Sequence, residues 1–325
     1  MSFIIVNAEL TQKLLPMADC INIMKPAMMA ASQRTNDIPP RLITPLPDDH
    51  GWLALMPGAS SDLNTYGAKI VGLHPANPGK GLPAVQGFVC LFDLDTGKPM
   101  GLVDGAAITA IRTAAASSLA TQWLAKEDAV SCGILGTGAQ ALTHAEAMLA
   151  VRPLQEVIIW GRNVERAAAL CSELSSRFHC HFRATRHAAE AAACDIVCTV
   201  TGSTEPVLKG EWVRPGAHIN LVGAHALNTR EADTALIAKS KLYVDFLEST
   251  LNEGGDIMIP VQEGAINQSD IVGELGTLIA GKLPGRQQSD DITVYNSLGI
   301  TIQDLYAAHF VMDKARQTGV GVVVD

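Results

Sequence analysis

From Val130 onward, short apolar runs alternate with longer stretches rich in alanine and other small residues. Ala129 to Leu135, Glu156 to Trp160, Asp195 to Thr201, His218 to Val222 and Lys241 to Asp245 read as strands, with Ala141 to Val151 and the alanine-rich Ala188 to Cys194 lying between them. Near-continuous apolar strands separated by helices are what a parallel sheet buried on both faces requires, because each crossover lays a helix on a face. The pattern predicts an α/β fold built on a doubly wound parallel sheet.

The preceding 125 or so residues are patterned differently. Prolines recur at 39, 40, 45, 47, 57, 75, 78 and 83, and β-rich pieces such as Ala84 to Leu94 replace the strand and helix alternation. Asp95-Thr96-Gly97-Lys98 is a turn between strand-like flanks, so Gln86 to Met100 reads as a hairpin, followed by a long alanine-rich helix over Ile108 to Leu124. Val320 to Val324 is patterned to return as a strand. The expectation is a second, α+β domain made of residues 1–125 and 300–325, into which a nucleotide domain of residues 126–299 is inserted.

Composition narrows the partners. The chain has 325 residues, is 48% hydrophobic and 18% charged, and carries a formal net charge of -9, which disfavours a nucleic-acid backbone as partner and leaves small molecules. No apolar run approaches the ~20 residues that span a bilayer, and Met1 to Leu15 lacks a basic head before an apolar stretch. Seven scattered cysteines without a Cys-x-x-Cys pair fit a reducing cytosol, so a cytoplasmic protein is expected.

The chemistry begins at Cys132-Gly133-Ile134-Leu135-Gly136-Thr137-Gly138-Ala139-Gln140-Ala141. An apolar strand ends there in a glycine turn that opens a helix. Gly136 permits the tight turn, Gly138 admits a pyrophosphate to the backbone, and the small Ala141 allows close packing of helix on strand, so N–H groups at the helix start face the phosphates and Gly136, Thr137, Gly138, Ala139 and Gln140 are expected to bind the cofactor. An ordinary glycine turn in an α/β core is the competing reading, and the flanking strand and helix disfavour it. A second Rossmann strand normally ends in an acid that binds the adenosine ribose. Here Trp160-Gly161-Arg162-Asn163 supplies none. A carboxylate would repel a 2'-phosphate whereas Arg162 can pair with it or stack on adenine, so NADPH/NADP is expected over NADH. A solvated loop arginine is the alternative for Arg162.

Several segments together resemble the ornithine cyclodeaminase/mu-crystallin family: Ala68-Lys69-Ile70-Val71, His74-Pro75-Ala76-Asn77-Pro78, Ile108 to Ala115 with its Arg112-Thr113-Ala114-Ala115, Gly136 to Gln140, Gly223-Ala224-His225 through Arg230-Glu231, and Asn296-Ser297-Leu298-Gly299. The resemblance covers nearly the whole chain. It implies a Rossmann domain plus a substrate-binding and dimerisation domain, and hence a homodimer. It also places Arg41, Lys69 and Arg112 around the substrate, Arg112 touching the cofactor as well, and puts Thr199, Thr201, Val222, Gly223 and Ser297 on the nicotinamide side.

The family includes cyclodeaminases, alanine dehydrogenase-like enzymes and ketimine reductases, and departures from the family pattern choose among them. Ala54 stands before Leu55-Met56-Pro57 where a cyclodeaminase has glutamate, and His225 stands where it has a catalytic aspartate. With the second-strand acid also gone, the resemblance implies a net reductase using external NADPH. Its expected substrate is a small cyclic imino acid, Δ1-pyrroline-2-carboxylate giving L-proline or Δ1-piperideine-2-carboxylate giving L-pipecolate. Guanidinium groups hold a planar carboxylate bidentately, which suits the trio to an α-imino acid. Reductive amination of the alanine dehydrogenase kind, ornithine cyclodeamination, and a mu-crystallin-like protein that binds NADPH and a small ligand are the alternatives. Lys69 and His225 compete as the proton source for the imine, the alternatives being a His225 that only shapes the pocket and a cyclic imine that arrives already protonated. His179-Cys180-His181 reads as strand alternation between Phe178 and Phe182 rather than a metal site, and no metal is expected. Asp256 either caps a helix or lines the cleft.

Overall fold

The computed structural model describes residues 2–34, 36 and 38–324. The chain divides into two compact units, Met1–Arg112 with Gly299–Asp325, and Thr113–Leu298. The first division falls inside a helix, earlier than the expected boundary after residue 125.

The first unit starts with strand β1 (Phe3–Val6) and helices α1 (Ala8–Leu14) and α2 (Met17–Gln33). Strands β2 (Leu42–Pro45), β3 (Trp52–Ser60), β4 (Thr65–Leu73), β5 (Val85–Asp93) and β6 (Pro99–Asp104) follow, with β5 and β6 forming the expected hairpin. Helix α3 (Gly105–Leu124) begins three residues before the apolar pattern announced it, because Asp104 Oδ1 accepts the backbone N–H of Ala107 and caps its start.

The second unit holds eight strands. They are β7 (Ser131–Leu135), β8 (Glu156–Trp160), β9 (His181–Thr185), β10 (Ile196–Thr199), β11 (His218–Leu221), β12 (Ser240–Val244), β13 (Ile271–Glu274) and β14 (Ile292–Asn296). Interleaved are α4 (Ala139–Val151), α5 (Val164–Arg177), α6 (Ala188–Ala192), α7 (Thr234–Ala238), α8 (Leu247–Glu253), α9 (Gly255–Gln262) and α10 (Leu275–Ile279). Every strand pair is parallel, in the order β13-β12-β14-β11-β10-β7-β8-β9. Strand order therefore reverses at β7, and in such sheets the crevice beyond the strand ends at the reversal is where ligands bind.

Burial explains the strand composition. Leu135, Val197, Ile219, Leu221, Val244 and Val294 are almost wholly buried in one core cluster, each contributing roughly 1.5–3 kcal/mol of apolar transfer. Helix α5 buries Ala167, Leu170, Cys171 and Leu174, the i, i+3, i+4, i+7 stripe of an amphipathic helix. One local expectation is corrected. His179 and Cys180 lie in a bend, and only His181 enters β9, because α5 ends against Phe178 and the chain must turn before rejoining the sheet.

After Leu298 the chain re-enters the first unit as α11 (Thr301–Thr318) and β15 (Val322–Val324), which pairs antiparallel with β1. The sheet order there is β15-β1-β6-β5-β4-β3-β2, mixed because β1 and β6 run parallel. Helix α11 packs on β1 and β3 to β6, covering the face that carries Met56, Val71, Val89, Leu91 and Val103. Among the described residues no helix is long and apolar enough to cross a membrane, and no group of three or more His, Cys, Asp or Glu could hold a metal ion.

Candidate active site

The glycine turn sits at the C-terminal end of β7, at the strand-order reversal. Gly136 has φ 136°, and a Cβ there would lie 2.7 Å from the Val200 carbonyl oxygen, so only glycine turns the chain this tightly beside β10. Its N–H donates to the Trp160 carbonyl at 2.8 Å. Gly138 is the N-cap of α4 and supplies no side-chain cap, and a Cβ on it would meet nothing within 4 Å. Gly138 and Ala139 are exposed while Ala141 is fully buried against the sheet. A helix start with uncapped N–H groups, open space before it and the positive end of the helix dipole fits a pyrophosphate. The residues present therefore fit a dinucleotide.

At the end of β8, the methyl of Thr137 occupies the space that a Gly161 side chain would fill, 2.6 Å from its Cβ position. Arg162 is exposed. The Asn163 side chain caps α5 by accepting the Arg166 N–H at 2.8 Å, and Asn163 itself is exposed.

The ends of β10 and β11 converge on Glu231, a residue whose role the sequence reading did not anticipate. Its fully buried carboxylate accepts from Thr199 Oγ1 at 2.7 Å, from Thr201 N at 2.7 Å and Oγ1 at 2.6 Å, and from Gly223 N at 2.5 Å. Val222 N donates to the Thr199 carbonyl at 3.0 Å. The hydroxyl protons of Thr199 and Thr201 are thus committed to Glu231, so toward a ligand these threonines offer lone pairs. Glu231 is itself held by Asp256, whose Oδ1 accepts the N–H groups of Glu231 and Ala232 at 2.7 and 2.9 Å. Asp256 is fully buried in the first turn of α9 and braces this loop. Burial, then the neighbouring Glu231 charge, pushes Asp256 up to about 7, and burial raises Glu231 against its hydrogen bonds. His225 is exposed in the loop that Glu231 braces. Ser297 N donates to the Leu221 carbonyl at 2.8 Å, and its hydroxyl is buried without a protein partner among the described residues.

The first unit assembles a cluster of cations. Lys69 on β4 is 3% exposed, and its Nζ lies 2.8 Å from Asp304 Oδ2 in the first turn of α11. Arg112 on α3 is 4% exposed and donates from Nε to Asp304 Oδ1 at 2.9 Å and from Nη1 to Gln303 Oε1 at 2.7 Å. Arg41 Nη2 donates to the Gly299 carbonyl at 2.8 Å. Gly299 has φ 76°, and a Cβ on it would lie 2.4 Å from Arg112 Nη1, so the chain passes directly over the guanidinium only because glycine is there. Arg41, Lys69 and Arg112 are thus all tied to one stretch, Gly299 to Asp304, which carries a single carboxylate. Burial, then the charge of Arg112, lowers Lys69 to about 7 against the opposing pull of Asp304. Burial works to raise Asp304, and Arg112 and Lys69 overcome it to hold that carboxyl below its ordinary value. Asp304 and Gln303 were missed because their partners lie 192 and 191 positions away. The available signal was an acid and an amide opening an otherwise apolar helix face, Ile302, Leu305 and Tyr306.

Residues 3–319 match the model of the ornithine cyclodeaminase/mu-crystallin family. A Δ1-pyrroline-2-carboxylate reductase of Bacillus cereus is 34% identical over 320 residues, 98% of each chain. A Thermococcus litoralis Δ1-pyrroline-2-carboxylate reductase solved with NADH and L-proline superposes with TM-score 0.96 at 36% identity, covering 99% of this chain and 100% of that one. An archaeal alanine dehydrogenase dimer with bound NAD superposes with TM-score 0.93 at 32% identity over 100% and 99%.

Proposed function

The chain belongs to the ornithine cyclodeaminase/mu-crystallin family, and from that premise we propose that it reduces small cyclic α-imino acids with NADPH. Δ1-pyrroline-2-carboxylate, giving L-proline, is the substrate, and Δ1-piperideine-2-carboxylate, giving L-pipecolate, is its ring homologue. The relatives are nicotinamide-dependent enzymes of pyrroline-2-carboxylate and alanine chemistry, and the chain is an imine-reductase-like member of that group.

The observation that carries the reading is the charge imbalance of the cluster. Lys69 and Arg112, both nearly fully buried, share the single carboxylate of Asp304, and Arg41 joins them on the Gly299 carbonyl. Buried positive charge left uncompensated is costly unless an anion joins it. A planar substrate carboxylate supplies that anion and accepts paired N–H bonds from guanidinium groups. With the carboxylate held by Arg112 and Arg41, the imine nitrogen falls to Lys69. An ammonium that titrates near 7 gives up a proton readily at neutral pH. Protonation makes the C=N carbon electrophilic, and bound reduced nicotinamide supplies the hydride that this carbon accepts. Lys69, rather than the exposed His225, takes the donor's part, and His225 shapes the nicotinamide-side loop.

The NADPH preference rests on the absence of an acid in Trp160 to Asn163 and on exposed Arg162. The protein is a homodimer, as its family resemblance implies, and seven free thiols suit a reducing compartment such as the cytoplasm. The test is oxidation of NADPH and of NADH by the purified protein with Δ1-pyrroline-2-carboxylate, beside pyruvate plus ammonia and beside L-ornithine with NAD. Turnover with the cyclic imine alone is expected. Turnover only with pyruvate and ammonia would move the protein to the alanine dehydrogenases, and ammonia release from ornithine would make it a cyclodeaminase.

A further inference from the structure

We propose that Arg186, at the end of β9, is a second guanidinium of the 2'-phosphate subsite, acting with Arg162 to select NADPH. This inference rests on the NADPH reading. Strands β8 and β9 are parallel and in register, Trp160 opposite Thr185, so the residues that leave the two strands emerge side by side at the same sheet edge. Arg162 follows Trp160 by two residues and Arg186 follows Thr185 directly. The Trp160 indole N–H donates to the Arg186 carbonyl at 3.3 Å, and the His187 N–H donates to Thr185 Oγ1 at 3.1 Å, so the backbone that presents Arg186 is fixed from both sides.

The direction of the side chain is given by an ion pair with Glu165. Arg186 Nη2 lies 3.8 Å from Glu165 Oε1, in the first turn of α5. The guanidinium therefore reaches across from β9 to the turn that begins at Arg162 and Asn163. Both members of that pair are about three-quarters exposed, 74% and 75%, and an exposed pair at this distance holds little against competition. The neighbouring acids are otherwise engaged. Arg183 takes Glu156 at 3.0 Å and Glu190 at 2.5 Å, which leaves Arg186 with a single weakly held carboxylate.

A 2'-phosphate carries close to two negative charges at neutral pH and three acceptor oxygens, more than one guanidinium satisfies. Arg162 and Arg186, leaving adjacent and in-register strand ends, both supply planar donors there. A ribose that ends in a bare hydroxyl offers neither charge nor extra acceptors, so the same pair contributes selectivity and not merely affinity.

The experiment is calorimetric titration of the intact protein with adenosine 2',5'-bisphosphate and, separately, with 5'-AMP, for wild type, Arg186→Ala, Arg186→Lys and Arg162→Asp. The side chain of Arg186 is solvent-exposed, so its replacement leaves the fold standing. Arg186→Ala is expected to lower the ratio of bisphosphate to 5'-AMP affinity about tenfold, the effect of one charge-assisted pair at this exchange rate. Arg186→Lys restores part of the ratio, since the charge stays and the planar fork does not. An unchanged ratio in Arg186→Ala beside a collapsed one in Arg162→Asp overturns the inference and leaves the coenzyme reading intact. A wild-type protein that binds both ligands equally well overturns the coenzyme reading itself, and this inference with it.

Discussion

Lys69 holds its charge where burial opposes it, and Asp304 is what keeps it protonatable near neutrality. Unfolded, the ammonium titrates at its ordinary 10.5, and folded at about 7. Between those values the unfolded chain binds more protons, so this residue's share of stability rises with pH across the window, and the full cost of the charge is felt below about 7. Catalysis runs the other way. If Lys69 donates the proton, kcat/KM with Δ1-pyrroline-2-carboxylate falls as pH rises through about 7. Asp304 raises the Lys69 value and Arg112 lowers it, so Asp304→Asn is expected to move that limb to lower pH and Arg112→Gln to higher pH. Opposite displacements in the two variants identify Lys69 as the titrating group. A limb that stays in place in both assigns it to the substrate imine or to His225, and removes Lys69 from the donor's part. In Arg112→Gln the KM for the imino acid also rises about tenfold or more, through loss of a charge-assisted carboxylate pair.

At the scale of elements, the glycine turn and the Glu231 and Asp256 brace of the second unit make separable predictions. Gly138 opens α4 with φ -90° and ψ -171°, ordinary N-cap values, and has free space where a Cβ would stand. Gly138→Asp therefore folds, and its carboxylate caps N–H groups that the glycine leaves bare, which keeps or slightly raises the unfolding temperature. The same carboxylate sits where a pyrophosphate would, so nicotinamide nucleotide binding is expected to fall about a hundredfold or more. Unimpaired binding in a folded Gly138→Asp protein would reduce this turn to ordinary core geometry. The Glu231 and Asp256 brace predicts a pH signature. Asp256 moves from its ordinary 3.8 to about 7, so the native state binds more protons between these values, and stability from this group is present at low pH and lost as pH rises through about 7. Asp256→Asn keeps an acceptor for the Glu231 and Ala232 N–H groups and removes the charge. Thermal melts should show the variant gaining on wild type as pH rises from 4 to 8, roughly 2–4 °C for each kcal/mol recovered. A constant offset would mean that Asp256 contributes no titration.

Legibility in the sequence follows the range of the interaction. The parallel strands, the turn at Gly136 to Ala141 and the hairpin around Asp95 to Lys98 were readable because periodicity and glycine chemistry are local. Lys69 and Arg112 stood out as charges in apolar or small-residue runs, but Asp304, which binds both, could be joined to them only by the fold. Glu231 was in view only as part of a family motif. Its grip on the ends of β10 and β11 depends on the crossovers that bring residues 199, 201 and 223 to one carboxylate. The end of α3 shows the same limit. Alanine periodicity runs unbroken from Gly105 to Leu124 while the division between units passes after Arg112, because a helix signal carries no record of which core its faces join.

For the whole molecule, the first-unit sheet offers a surface on which self-association can be tested. Its two chain ends meet in β1 and β15, and α11 covers one face. On the opposite face the register lines Leu55, Ile70 and Phe88 into one cross-strand row and Ala59, Tyr66 and Phe92 into another, with Tyr66 and Phe92 stacked at 5.1 Å. Pro57, Ala68 and Cys90 fill the row between them, so the middle of this face carries no charge. Tyr66 is 36%, Phe88 38% and Leu53 40% exposed. Contiguous exposed apolar rows of this kind commonly mark association surfaces, and the prediction is that a second copy of the same face covers this one in a two-fold dimer. Light scattering on the purified protein should therefore give twice the 34.4 kDa chain mass. Phe88→Glu places a charge in the row of Leu55 and Ile70 and is expected to shift the mass toward that of one chain, because a buried, unpaired carboxylate at each copy costs several kcal/mol. The cations of the cluster come from the other face of the sheet and from elements outside it, so a monomeric Phe88→Glu protein keeps Lys69, Arg112 and Asp304 in place. Adenosine 2',5'-bisphosphate binding by that monomer would show that assembly serves stability or turnover rather than construction of the nucleotide site. A wild-type protein that scatters as a single chain at micromolar concentration would instead leave this apolar face without a self-association role.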